Sequence, residues 1–194
     1  MNNASLNGLR VAILVAEGFE EVEMTKPRAA LDDAGARTSL VSPEQGEVLA
    51  FNHHDKANRF PVDVKLDDAR PDDFDALLLP GGALNPDTLR TLPNAVEFVR
   101  AFFDEEKPVA AICHAPWTLI EADVVEGRRV TSWPSLKTDL ENAGADWVDQ
   151  SVVRDENLVT SRKPDDIPDF NRSMLELFGQ VRPAAEPATP VRRS

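Results

Sequence analysis

Short apolar runs return along this chain with segments of helical periodicity between them, and that alternation leaves few folds open. Residues 10–16 read RVAILVA, residues 76–79 ALLL and residues 109–112 VAAI, none with polar alternation. A strand without a polar face is buried on both sides, which is the situation inside a parallel sheet covered by helices. The sequence therefore predicts an α/β sandwich with a mostly parallel central sheet. A helix is expected over 19–34, kinked or restarted at Pro27, which lacks a backbone donor, and ended by Gly35. A strand is expected over 37–42. Residues 48–51 and 60–66 flank a polar loop at 52–59, which reads as a hairpin or excursion. Helices are expected over 93–106, 114–122, 135–143 (with Ser135 as cap) and 165–178, the last ended by Gly179. Residues 130–132 read as a short strand, and 148–154 with 157–161 as a closing pair.

At 194 residues the chain is sized for one domain, expected over 8–179, after a polar segment at 1–7. Residues 180–194 (QVRPAAEPATPVRRS), with three prolines and no aromatic, are expected to form a disordered tail. The net charge of −13 argues against a nucleic-acid partner, because binding a phosphate backbone requires a basic face. The single cysteine excludes an internal disulfide framework and multi-cysteine metal sites, and it suits a reducing compartment. No basic-then-apolar leader and no span of about 20 apolar residues is visible, so a cytoplasmic location without membrane partners is expected.

In an open α/β sheet, ligands bind beyond the carboxyl ends of the strands. Three such ends stand out: 16–23, 80–86 and 113–116. The third carries Ala111-Ile112-Cys113-His114-Ala115, a nucleophile between a buried strand and a helix with small residues two positions to either side. That is the pattern of a nucleophile elbow, whose tight turn demands small flanks and exposes the side chain above the sheet. A thiol there feels the positive end of the following helix, so an exposed, thiolate-rich Cys113 is expected. His114 is a general base or a helix cap; adjacent helical residues do not face each other, which leaves a direct Cys113–His114 bond open. The backbone amides of Gly81, Gly82 and His114 are candidate oxyanion donors. Glu17, Glu20, Glu21 and Glu23 crowd the first strand end, most of them expected in solvent. One turned back over the sheet would meet the thiol and carry a proton, because two adjacent anions are costly. His53 and His54 beside Asp55 lack a third ligand at metal-site spacing, so no metal site is expected there. Trp133-Pro134 reads as packing or interface.

GFEEVEM at 18–24, FDALLLPGG at 74–82, VAAICHAP at 109–116 and the stretch from NAGADWVDQSVV to LVTSRKPDDIP together resemble the ThiJ/PfpI superfamily, and its PfpI branch in particular. That superfamily includes the human protein linked to inherited parkinsonism. The resemblance implies a flavodoxin-like three-layer sandwich and a homodimer or higher oligomer. It makes Cys113 the nucleophile, Glu23 the neighbouring carboxylic acid and His114 the elbow histidine. Asp87 is implied as the acidic residue that orients the histidine of an adjoining subunit. The activities it implies are cofactor-independent deglycase or glyoxalase chemistry on small aldehydes and glycated groups, and peptidase chemistry with a Cys113–His114–Asp87 triad. A redox-sensing or chaperone-like stress protein without turnover is the third expectation.

Overall fold

The structure is a computed structural model and describes residues 5–181. Its centre is a seven-stranded sheet ordered β11-β12-β8-β7-β1-β3-β6. The strands are β1 (Arg10–Leu14), β3 (Arg37–Ser42), β6 (Val64–Lys65), β7 (Ala76–Leu79), β8 (Val109–Ile112), β11 (Val152–Asp155) and β12 (Leu158–Ser161). Every pairing is parallel except β11–β12, a hairpin that turns at Glu156-Asn157, one residue later than expected. Alternation along β1 divides the core in two. Ala12 and Leu14 face a cluster built with α3 (Pro93–Asp104), α4 (Pro116–Glu121) and α5 (Lys137–Asn142). Val11 and Ile13 face a second one built with α1 (Glu21–Asp33) and α6 (Ile167–Phe178). Both faces are covered, which is why β7, β8 and β1 beyond Arg10 are apolar throughout. The result is a flavodoxin-like three-layer sandwich.

Two small sheets flank it. β2 (Phe19–Glu20) pairs with β4 (Glu47–Asn52), which forms a hairpin with β5 (Asp55–Pro61), and β9 (Arg129–Val130) pairs with β10 (Asp146–Trp147). The loop expected over 52–59 is thus mostly strand, with His53 and His54 alone at the turn. β5 is exposed or half-buried along its whole length, so it has no buried face to write an apolar alternation into residues 55–59.

Other expectations change in detail. The helix over 19–34 gives its first two residues to β2, and α1 runs through Pro27 as one element. Proline there deprives the Glu23 carbonyl of its helical donor, yet the buried ring packs without breaking the helix. Gly35 closes α1 as expected, with φ +94° and its N–H donating to the Asp32 carbonyl at 3.0 Å. Ser135 caps nothing; it lies in a 3-10 turn (Pro134–Leu136) ahead of α5. A short helix at Leu84–Leu89 (α2), carrying little periodicity of its own, was not anticipated. Of the polar segment, Leu6 enters the core and its N–H donates to the Ala34 carbonyl at 2.9 Å. Gln180 and Val181 still touch the domain, through Arg154 (2.7 Å) and the α6 cluster. The rest of the expected tail, 182–194, lies outside the described residues, as do residues 1–4.

Candidate active site

From β1 the chain passes to β3 on one side, and later to β7 and β8 on the other, so the order reverses between β1 and β7. Strand register aligns the carboxyl ends at this switch point: Ile13 pairs with Leu78, Leu79 with Ala111 and Ile112 with Ser161. Crevices form where the order reverses. Here the residues after β1, β7 and β8 converge on a cavity of about 770 Å³ that holds Cys113, His114, Glu20 and Glu23.

Cys113 has φ +65°, a left-handed conformation costly for a residue with a Cβ. The surroundings hold it there. Its N–H donates to the Ser161 carbonyl of β12 at 3.0 Å, and its carbonyl accepts the Trp133 N–H at 2.9 Å. This bend makes the elbow, and it brings the side chains of adjacent residues to one side: Cys113 Sγ lies 3.1 Å from His114 Nδ1. Helical spacing would have kept them apart; α4 begins only at Pro116.

Of the four carboxylates, Glu20 and Glu23 turn inward, while Glu17 is exposed and Glu21 holds the Asn58 backbone N–H at 2.9 Å. Glu23 is fully buried; one oxygen, Oε2, accepts the Gly81 N–H at 3.0 Å. The other, Oε1, has no nitrogen or oxygen partner, and the carboxyl faces the Cys113 thiol. Burial, reinforced by the nearby Glu20 charge, pushes Glu23 up to about 8. Removal from water and the Glu23 charge push the Cys113 thiol up as well, against the backbone N–H groups of Gly82 and His114, which favour the thiolate. The expected exposed, acidified thiol is therefore corrected on both counts. Cys113 is 5% exposed, and α4 is too short and starts too late for its dipole to outweigh desolvation. Burial also holds His114 below its ordinary value, so its ring is neutral at pH 7 and can accept a proton from the thiol.

The three candidate oxyanion amides divide: Gly81 is committed to Glu23, while Gly82 and His114 point at Sγ. Gly81 has no room for a side chain, because a Cβ would stand 2.6 Å from both Cys113 Cβ and Glu23 Oε2. Asn85, invisible to sequence reasoning, fixes this turn. Buried at the start of α2, it accepts the Ala16 N–H at 2.7 Å and donates to the Pro80 and Gly81 carbonyls at 2.9 and 3.0 Å. Its burial and its partners exist only in the fold, so no signal in the sequence marks it. Trp133 does more than pack: it stacks on His114 (centroids 5.6 Å apart, 22° between planes) and lines the cavity. Asp87 is not brought to Cys113 in its own chain. It lies exposed on α2, in a separate groove with Arg90 and Glu121. His53 and His54 form the cavity rim, and no cluster of three or more metal-ligating side chains exists among the described residues. No helix among those residues is long and apolar enough to cross a membrane.

Residues 9–177 match the profile of the DJ-1/PfpI family. General stress protein 18 of Bacillus subtilis (strain 168) is 43% identical over 172 residues, covering 88% of this chain and 98% of that protein. The same organism's protein named "Putative cysteine protease YraA" is 42% identical over 169 residues, covering 87% and 98% respectively. Among solved structures, Drosophila melanogaster DJ-1beta superposes with a TM-score of 0.80 at 29% identity, covering 89% of this chain and 92% of that one.

Proposed function

The chain belongs to the DJ-1/PfpI family, and from that premise we propose that it is a cysteine enzyme of stress defence acting on reactive aldehydes or the early adducts they leave. The observation that carries this reading is the buried pair of Glu23 and Cys113. A simple acyl-transfer triad needs a nucleophile, a base and an orienting group; it has no use for a protonated carboxyl against the sulfur. Addition to an aldehyde does. His114 Nδ1 takes the thiol proton, Sγ bonds to the carbonyl carbon, and the oxygen takes the proton held by Glu23. With a 2-oxoaldehyde, the Glu23 carboxylate so formed removes the hydrogen on the new hemithioacetal carbon while His114 gives its proton to the neighbouring ketone oxygen; Glu23 then delivers its proton to the adjacent carbon and takes up the hydroxyl proton of the former aldehyde oxygen. The resulting thioester is hydrolysed to a 2-hydroxy acid. Thiol, imidazole and carboxyl end as they began, and the sum is aldehyde plus water.

Peptidase chemistry is the second reading, favoured by the 3.1 Å Cys113–His114 contact. It needs an acidic partner for the histidine, and Asp87 would have to come from another copy of the chain. Methylglyoxal consumption without glutathione, run beside hydrolysis of a fluorogenic peptide panel with Cys113→Ala as control, decides between them. Aldehyde turnover lost in Cys113→Ala supports the first reading and peptide turnover alone the second. Neither activity, with ready thiol oxidation, would replace both by a redox-sensing role.

A further inference from the structure

The cavity is one-sided in charge. No lysine or arginine lines it among the described residues, while two carboxyl groups do. Cations near its rim are already occupied: Lys163, next to the rim residue Pro164, reaches Asp165 at 3.3 Å, and Arg162 is held by Asp149 and Asp166 at 2.6 and 2.8 Å. Arg59 lies 3.9 Å from Glu17. The two inward carboxyls play different parts. Glu23 faces the sulfur, whereas Glu20, 6% exposed, points to the rim, accepts the His53 N–H at 2.9 Å and lies 3.9 Å from the ring Nδ1 of the same residue. That backbone donor fixes the Glu20 carboxyl at the cavity mouth, where a charge acts across a low-dielectric protein wall.

We propose that Glu20 is the specificity-determining charge of this cavity: electrophiles that are uncharged or cationic reach Cys113, and those bearing a carboxylate or phosphate are turned away. As a statement about substrates this rests on the enzyme reading. It selects uncharged aldehydes and adducts on cationic side chains over sugar phosphates or oxo acids. An anion entering would lose its hydration beside a fixed negative charge and meet no guanidinium or ammonium group in return.

The single cysteine allows a test that needs no turnover. Labelling of Cys113 by methanethiosulfonates with a trimethylammonium or a sulfonate head is followed by intact mass, and the ratio of rates is normalised to 2-mercaptoethanol. The cationic reagent should win on the order of tenfold in the wild type. Glu20→Gln, whose carbonyl oxygen can still accept the His53 N–H, should bring the ratio close to one. Glu17→Gln removes the same charge from an exposed site outside the lining and should leave the ratio unchanged. A wild-type ratio near one overturns the proposal without any variant, and equal effects of Glu17→Gln and Glu20→Gln reduce it to net charge and overturn it too. A protein that shows the ratio but turns over no carbonyl loses the enzyme reading and keeps this one.

Discussion

Replacing Glu23 by glutamine should make the protein more stable at high pH by removing the loss of stability that this buried carboxyl imposes as pH rises. The carboxyl is held at about 8 against an ordinary 4.5, chiefly by burial. Below pH 4.5 folded and unfolded chains both carry the proton, and its contribution is complete. As pH rises the unfolded chain releases the proton first, so stability drains away until the folded carboxyl titrates near 8. At about 1.4 kcal/mol per tenfold in proton affinity, the loss between pH 5 and pH 8 is at most about 4 kcal/mol. Glutamine fits the same space, accepts the Gly81 N–H and has no proton to lose, so this loss should be missing from its curve, while the rise with pH that the buried His114 imposes below about 6.5 stays in both proteins. The two proteins should be of similar stability at pH 5 and diverge by up to that amount at pH 8. Urea unfolding followed by tryptophan fluorescence at half-unit pH steps measures this directly, since m-values report whether the transition itself has changed. Parallel curves for the two proteins, separated by a constant offset, would refute the buried, proton-holding carboxyl.

Four further outcomes are expected. Gly81→Ala should fold with reduced stability and lose most Cys113 alkylation, because its Cβ collides with the thiol-bearing carbon and the Glu23 oxygen; wild-type labelling rates would contradict the geometry. Asn85→Ala removes three buried hydrogen bonds and should cost about 2–4 kcal/mol in thermal or urea unfolding, together with slower alkylation. Iodoacetamide labelling of Cys113 should accelerate only above the ordinary thiol range of about 8.5, and a midpoint below that value would show that the helix end outweighs desolvation. If Asp87 completes the site of another copy, mixing inactive Cys113→Ala and Asp87→Ala chains should restore about a quarter of wild-type activity in a dimer with closed symmetry; no recovery would exclude the cross-subunit role.

The parts of this molecule that sequence discloses are those written in local pattern. β7 and β8 could be bounded from apolar runs alone, since a strand buried on both faces shows itself without reference to its neighbours. The elbow was legible for the same reason: small flanks around Cys113 state a steric demand. What could not be read depends on tertiary surroundings. The rise in the Cys113 pKa comes from burial by segments far along the chain, and a dipole argument built on residues 113–122 has no access to it. Nor could spacing reveal the Cys113–His114 contact, because it follows from a φ of +65° held by Ser161 and Trp133. Asn85 was missed because its three partners, Ala16, Pro80 and Gly81, meet only at the switch point.

The separation of the cavity wall from the central sheet has a consequence for how such a molecule can diversify. Cys113 and the Gly81–Gly82 turn are anchored to β7, β8 and β12, while Phe51, His53 and His54 hang on the hairpin of β4 and β5, which shares no strand pairing with them. A hairpin tolerates changes of turn length and composition far better than a parallel strand does. Reactive group and gatekeeper can therefore drift at different rates. Lengthening or recolouring the His53-His54 tip offers a way to graft a new substrate range onto an untouched thiol, and a library confined to residues 52–55 is the place to look for it.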